Sequence, residues 1–403
     1  MAVLFHRFGP YHHARLNAAG RLMLVWGVEA CATEETYAWS KVEGAAAFKR
    51  ITLTDRDTGD QQWERQLRQN MWQTLNDIKP EVVAVNGWSS TEALSALWWC
   101  IKNNIPAVVM SESTIWDERR VAWKEWIKSR LVKMCAAGLA GGKPHADYLL
   151  RLGLMQDQIF LGYDVVDNAY FAAKANESKA HDAECRKQLG LPGRYFLASA
   201  RFIEKKNLFR LVEAYAKYRE LAQNPQIWDL VLLGDGQLRT DLSSHLSALK
   251  LHDHVLLPGF KQYDELPAYF ALADAFVHAS TTEQWGLVVN EAMAAGLPVL
   301  VSNRCGCAQD LVRQGVNGFT FDPGNMEELV DLMVKISAPG FPIIDFGRQS
   351  QRIIADWGPD RFGNGLLNAV TTALQYPRPR AELLDRLLLR LAHVTVFSDA
   401  LKT

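Results

Sequence analysis

The sequence predicts an α/β protein of two domains, each built on a mostly parallel sheet, and three observations carry that prediction. Short apolar runs alternate with amphipathic stretches of helix length, the pattern of successive βαβ units. Several of those runs end at a glycine, as at Gly9, Gly87 and Gly234, where a tight turn would lead into the next helix. The chain has 403 residues, more than one ordinary core accommodates.

Composition narrows the function. With 48% hydrophobic and 22% charged residues the chain reads as an ordinary soluble globular protein. Lys and Arg number 44 against 45 Asp and Glu, so no basic field points to nucleic acid as a partner. No apolar run approaches the length that spans a bilayer, and the opening M-A-V-L-F-H-R-F-G-P lacks a signal-peptide core, so a cytoplasmic protein is expected. The six cysteines are scattered; Cys305 and Cys307 form the one close pair, with no further ligands beside them. Reduced thiols are expected there, and no metal site.

In the first domain, residues 2–5 read as a strand followed by a turn at Gly9 and Pro10, after which Tyr11, His12, His13 and Arg15 either face a ligand or form a plain surface loop. Residues 22–28 and 51–53 read as strands, 61–78 as a helix, 81–85 as a buried strand, 91–103 as a helix and 106–110 as a strand. Glu112 directly follows that last strand. It suits an acceptor-activating carboxylate, or equally the cap of the next helix, and the cap is slightly preferred. The glycines at 141 and 142 mark another strand end, a helix ends at Gly153, and residues 159–161 read as a strand. Residues 172–191 are polar, charged and helix-prone, and read as the connection between domains.

In the second domain, an apolar strand to Ala200 is followed by Arg201 and Lys206, and two cations at a strand's carboxyl end make an anion site without a metal, although surface cations are more often simply solvated. Residues 229–233 lead into G-D-G at Gly234, and residues 255–259 lead to Phe260. The stretch A-S-T-T-E-Q-W-G-L-V-V-N-E-A-M-A-A-G-L-P-V-L from Ala279 predicts a helix over 285–295, closed by Gly296 and Pro298, and a strand over 298–302. A helix N-terminus offers unpaired N–H groups to a phosphate, and Gly286 lets backbone approach it. Glu283 and Glu291 bracket that start; they cannot bind phosphate but can accept from hydroxyls on either side of it, the arrangement a nucleotide sugar presents. Helical capping by Glu283 and a solvated Glu291 are the plainer alternative. Further on come a turn and strand near 315–319, an amphipathic helix over 325–336, and helices from 346 and 359. The stretch 380–393 is basic and apolar; it either lies on a membrane surface or, as such stripes more often do, packs on the domain.

The run from Glu283 through Glu291 to the G-L-P-V tail resembles the E-x7-E signature of retaining GT-B glycosyltransferases, and within those the large glycosyltransferase family 4. The pair Arg201 and Lys206 is similar to that family's Arg-x4-Lys, and Gly234 to its G-x-G-x-L turn. Three departures stand out: Trp285 where Phe is usual, Asn207 where Gly is usual, and no histidine near Glu112. The resemblance implies two Rossmann-like domains facing across a cleft, with closure excluding water. Its domains would be 1–170 for the acceptor, 171–194 as connection, 195–357 for the donor, and 358–403 as helices crossing back to the first. It implies a retaining, metal-independent hexosyltransferase that needs no cofactor and moves a sugar from a nucleotide diphosphate to a hydroxyl of a carbohydrate, glycolipid or other acceptor, as in polysaccharide or cell-envelope glycan synthesis. Arg201, Lys206 and Glu283 would be catalytic. Gly9, Gly234, Phe260, Gly286, Leu287 and Glu291 would join them in binding the donor, with Glu291 on the ribose and Glu283 on the transferred sugar. His12, His13 and Glu112 would lie on the acceptor side. A non-catalytic scaffold of the same fold and a nucleotide-sugar epimerase are the rivals; the scaffold would be expected to lack one of the four charged motif residues, and all are present.

Overall fold

The computed structural model describes residues 1–33, 46–222, 226–376 and 381–394. They fall into two compact units, Met1–Val165 with Pro359–Thr403, and Val166–Gly358.

The first unit is a parallel sheet of β1 (Ala2–Phe5), β2 (Trp26–Thr33), β3 (Lys49–Arg56), β4 (Val83–Asn86), β5 (Ala107–Ser111), β6 (Ala137–Ala140) and β7 (Ile159–Leu161), in the order β3-β2-β1-β4-β5-β6-β7. Its central strands are continuous apolar runs because helices cover both faces. Successive side chains alternate between two cores: Ala2 and Leu4 join Leu67, Met71 and Leu75 of the helix Gln61–Ile78, while Val3 and Phe5 join Leu16 and Ala19 of the helix Pro10–Gly20. The helix Pro359–Gln375, far away in sequence, completes that second core with the buried Phe362, Leu366, Ala369 and Ala373. Gly365 lets it close on the sheet, since a Cβ there would lie 2.4 Å from the Leu161 carbonyl oxygen.

Two expectations for this unit need correction. The residues after Gly9 are a helix rather than a loop, because Pro10 occupies its first turn, where the missing N–H costs nothing. The strand expected from residue 22 begins only at Trp26; residues 21–25 turn out of the preceding helix.

The second unit holds β8 (Tyr195–Ser199), β9 (Asp229–Leu233), β10 (Val255–Gly259), β11 (Ala275–His278), β12 (Val299–Ser302) and β13 (Gly318–Phe321), all parallel, in the order β10-β9-β8-β11-β12-β13. Both sheets therefore place their first strand centrally and reverse direction beside it, at β1/β4 and β8/β11, which is where doubly wound sheets bind ligands. The stretch 171–194, expected as a connection, lies within this unit as the helices Asn168–Ala180 and Asp182–Leu189. Lys179 donates from Nζ to the Ala295 carbonyl at 2.7 Å, which ties the first of them to the Glu283–Glu291 motif.

That motif's helix runs Leu287–Ala294, two residues shorter at its start than expected, because Gly286 at φ +98° is left-handed and cannot begin a right-handed turn. Its end is a Schellman motif: Gly296 N–H donates to Met293 O and Leu297 N–H to Ala292 O, both at 3.0 Å. Asn168 Nδ2 donates to the Ile354 carbonyl at 2.6 Å, so the segments by which the chain enters and leaves this unit are joined. The tail helix Leu383–Val394 belongs to the first unit; Arg380 of the expected 380–393 stretch lies outside the described residues, and so does the His393 side chain.

Candidate functional site

The second unit's site grows from the loops after β8 and β11, adjacent strands at the sheet's reversal. After β8 the chain makes a 3-10 turn, Glu204–Lys206, that ends at Asn207 with φ +58°. This left-handed position explains why Asn can stand where Gly is usual, since Asn tolerates that region better than other side chains. The Asn207 amide then donates to the carbonyls of Ala279 and Pro323, each at 3.1 Å, which stitches together the loops after β8, β11 and β13. Thr281 N–H donates to Lys205 O at 2.8 Å and adds a second stitch.

Those stitches bring Lys206 and Glu283, 77 residues apart, into a direct ion pair, with both side chains nearly buried. Lys205 adds a second cation 3.9 Å from the other carboxylate oxygen, and Ser280 Oγ donates to Glu283 at 3.4 Å. His278, a polar residue on the otherwise apolar β11, places Nε2 3.6 Å from Glu283. Burial would raise the Glu283 carboxyl, but His278 and the charges of Lys206 and Lys205 outweigh it and hold the group well below its usual range. Burial depresses the His278 imidazole, against the pull of Glu283. The loop is fixed from behind by Cys305–Cys307. Glu283 N–H donates to Arg304 O at 3.2 Å, Gly306 N–H to Glu283 O at 3.1 Å, and Cys307 N–H to Trp285 O at 3.1 Å. Both cysteines are free, and burial pushes their thiols upward, in keeping with inert packing.

Arg201 stands exposed just beyond β8, and Leu287 opens the motif helix. Trp285 is buried; its indole N–H donates to Asn290 Oδ1 at 2.8 Å and its ring packs on Trp357 at 5.1 Å, so the Phe-to-Trp departure comes with a partner for the added polar atom. Glu291 is fully buried, which excludes the solvated alternative. Burial raises the nearby Tyr263 phenol and the Glu291 carboxylate adds to the shift; Tyr263 itself stacks on Tyr170 at 5.0 Å. Phe260 is 42% exposed at the end of β10. Lys205, Ser280, His278 and Tyr263 were not anticipated. The available signal was His278, a lone polar residue in an apolar strand.

Gly234 has a packing reason of its own. Its φ is +127°, and a Cβ would lie 1.8 Å from the Ala200 carbonyl oxygen, in the loop that carries Arg201. Gly234→Val is expected to destabilise the unit by about 1–3 kcal/mol from backbone strain alone, with a further loss from the displaced loop. Urea unfolding would measure it, and an unchanged midpoint would leave Gly234 no packing role.

Gly9, His12, His13 and Glu112 belong to the first unit, and the residues above to the second. Gly9 is the N-cap residue of Pro10–Gly20, and its N–H donates to His12 Nδ1 at 3.1 Å. Burial, with Arg15 and Arg7 nearby, depresses His12 to about 3, so it is a neutral capping imidazole packed 4.4 Å from the Phe5 ring. His13 pairs with Asn17 at 3.1 Å and packs on Phe48. Glu112 does not cap a helix: the next one, Ala122–Val132, starts ten residues later with Val121 as its N-cap. Instead its carboxylate neighbours Asp164, which burial pushes well above the usual range and Glu112 pushes further, against the pull of Arg15 at 3.5 Å. At the β1/β4 reversal, His6 lies between Asp57 at 3.1 Å and Glu92 at 3.4 Å. Burial opposes its charge, yet Cys31 and Glu92 raise it to about 11. No group of metal-ligating residues is found among the described residues.

Residues 182–338, which include Arg201, Lys206, Gly234, Phe260, Glu283, Gly286, Leu287 and Glu291, match the model of the family described as glycosyl transferases group 1. Over 152 residues the chain is 33% identical to alpha-monoglucosyldiacylglycerol synthase of Acholeplasma laidlawii, covering 37% of this chain and 36% of that protein. Over 172 residues it is 29% identical to alpha-D-kanosaminyltransferase of Streptomyces kanamyceticus, covering 42% of this chain and 44% of that one. The chain thus spans less than half the length of these two curated relatives. Among solved structures, that of Anabaena HepE in complex with UDP and glucose superposes with a TM-score of 0.70 at 18% identity, over 92% of this chain and 98% of that one. WaaG, a glycosyltransferase involved in lipopolysaccharide biosynthesis, gives 0.64 at 15% identity, over 90% and 98%. Residues 182–338 thus match the glycosyl transferases group 1 family, and the chain, with its two parallel sheets, has the GT-B fold.

Proposed function

We propose that the chain transfers a hexose from a nucleoside diphosphate sugar to a hydroxyl acceptor, with retention at the anomeric carbon and without a metal or other cofactor, in glycolipid, polysaccharide or cell-envelope glycan synthesis. The Lys206–Glu283 pair beside the β8/β11 reversal carries this reading. An ammonium has three N–H donors, so Lys206 can keep one on Glu283 and turn others to a phosphate oxygen. Glu283, held ionised, accepts from hydroxyls of the transferred sugar. Arg201 and Lys206, with the N–H of Leu287, meet the negative charge that grows on the departing diphosphate as the bond to the anomeric carbon breaks and its electron pair leaves with the phosphate. Two fixed cations take the place a divalent ion would hold. Glu291 accepts from the ribose hydroxyls, and acceptor recognition is assigned to the first unit. The relatives named as a monoglucosyldiacylglycerol synthase and a kanosaminyltransferase, and the fold neighbour in complex with UDP and glucose, support the donor class.

Thermal stabilisation by UDP, GDP, ADP and TDP, each with and without EDTA, tests this. One diphosphate at about a hundred times its Kd is expected to add about 2.7 kcal/mol, unaffected by EDTA and reduced in Arg201→Ala and Glu291→Ala. A shift with none of them would bring the scaffold reading forward, and a shift abolished by EDTA would end the metal-free one.

A further inference from the structure

The tail helix Leu383–Val394 is docked on the first unit by one side. Arg130 donates from Nε to Asp385 and from Nη2 to Glu382, each at 2.6 Å, and Leu389 is fully buried in the same core as Ile127 and Leu131. At 100° per residue, Leu383, Leu387 and Leu384 fall on the opposite side, and there they are 77%, 48% and 44% exposed. A helix that merely completes a core hides its leucines and exposes its charges. This one buries an aspartate and presents three leucines outward, flanked by the exposed Arg386 and Arg390.

The helix it leans on shows the same inversion. On Ala122–Val132, Ile127, Lys128 and Leu131 are buried, whereas Trp123 and Trp126 are each 48% exposed. Trp126 lies one turn before Arg130, the residue that pins the tail helix, so the tryptophans flank that helix and the leucines line its outer side. Lys124 sits 5.7 Å from the Trp123 ring, and Arg119 and Lys133 are exposed at either end of this helix. Glu382, just before the tail helix, and Asp385, in its first turn, are both engaged by Arg130.

We propose that this face, centred on Trp123, Trp126, Leu384 and Leu387 and ringed by Arg119, Lys124, Lys133, Arg386 and Arg390, docks on a membrane surface rich in anionic phospholipid. Indole rings favour the headgroup boundary, outward leucines enter the acyl edge, and the cations meet lipid phosphates. No described helix is long and apolar enough to cross a bilayer, so the tail helix lies along the surface. A second copy of the chain fits this face less well, because a two-fold contact would set Arg386 and Arg390 of each copy against the same residues of the other. The assignment is independent of the transfer reaction.

Co-sedimentation of the full chain with vesicles of phosphatidylcholine, alone or with a third phosphatidylglycerol, tests it. Binding is expected to the mixed vesicles, to weaken at high salt, and to fall at least tenfold in Trp123→Ser/Trp126→Ser and in Leu384→Ser/Leu387→Ser. Arg386→Gln/Arg390→Gln is expected to keep the apolar face and lose the preference for phosphatidylglycerol. All six positions are exposed, so the variants are expected to keep the parent Tm; should one pair fail to fold, the other two decide. Absence of binding to mixed vesicles, or binding that none of the variants lowers, would overturn the proposal. So would a dimer in solution that the serine variants dissolve without any vesicle binding by the parent.

Discussion

Lys206→Ala is expected to lower kcat/KM for sugar transfer by about 10²–10³-fold, the scale on which a single group that stabilises developing charge acts. It removes one of the two cations proposed to meet the departing diphosphate, and it leaves the Glu283 carboxylate nearly buried with His278, Ser280 and the more distant Lys205. Lys206→Arg keeps the charge but replaces a compact ammonium with a planar fork, and partial recovery there would separate charge from shape. A fall of less than tenfold in the alanine variant would remove Lys206 from the reaction.

The same pair gives a pH signature. Glu283 has a folded-state pKa below its ordinary value of 4.5, so its ionised form stabilises the fold above that value, and the contribution is lost as pH falls through the lower, folded value. The Tm gap between the parent protein and Glu283→Gln is therefore expected to be full at neutral pH and to shrink as pH drops below about 4.5. A gap that stays constant or widens with acid would mean that the ionised carboxylate is not what stabilises this loop.

Phe362→Ala is expected to cost about 3–5 kcal/mol, as truncation of a buried aromatic generally does. For a unit of this size that corresponds to a fall in Tm of roughly 10 °C. Phe362 is fully buried, packs 6.5 Å from the Tyr163 ring, and sits among residues of β1, β4, β5 and β6. Calorimetry would show the shift. A loss under about 1 kcal/mol would mean that Pro359–Gln375 covers the sheet without being part of its core.

Much of this architecture was legible in the chain, for reasons that can be located. The helices Gln61–Ile78 and Thr91–Asn103 have the bounds read from sequence, because Asp60 and Ser90 cap them with ordinary side-chain acceptors and the apolar spacing is regular. The helix Pro10–Gly20 was missed because its cap is the side chain of His12 and its first residue is a proline, which reads equally as a turn. The same device recurs at Gly142, whose N–H donates to His145 Nδ1 at 3.0 Å. Glu283 and Glu291 were visible as a spaced pair, but the contact of Glu283 with Lys206 was not. It depends on β8 and β11 being neighbours, a fact of sheet order that no local spacing encodes. The role of Asn207 is likewise invisible in the sequence, because it rests on a left-handed backbone.

The return of Pro359–Gln375 to the first sheet has a consequence for how the chain is made. During synthesis the residues of β1 to β7 leave the ribosome first, but the face lined by Val3, Phe5, Ala84 and Val108 is covered only in part, by Pro10–Gly20, until the helix that completes the cover emerges. The second unit is continuous in sequence and can close on itself in the meantime. Maturation is thus out of step with translation: the part made first is finished last. A nascent chain stalled before residue 359 would carry a partly uncovered apolar sheet face of the kind that chaperones bind.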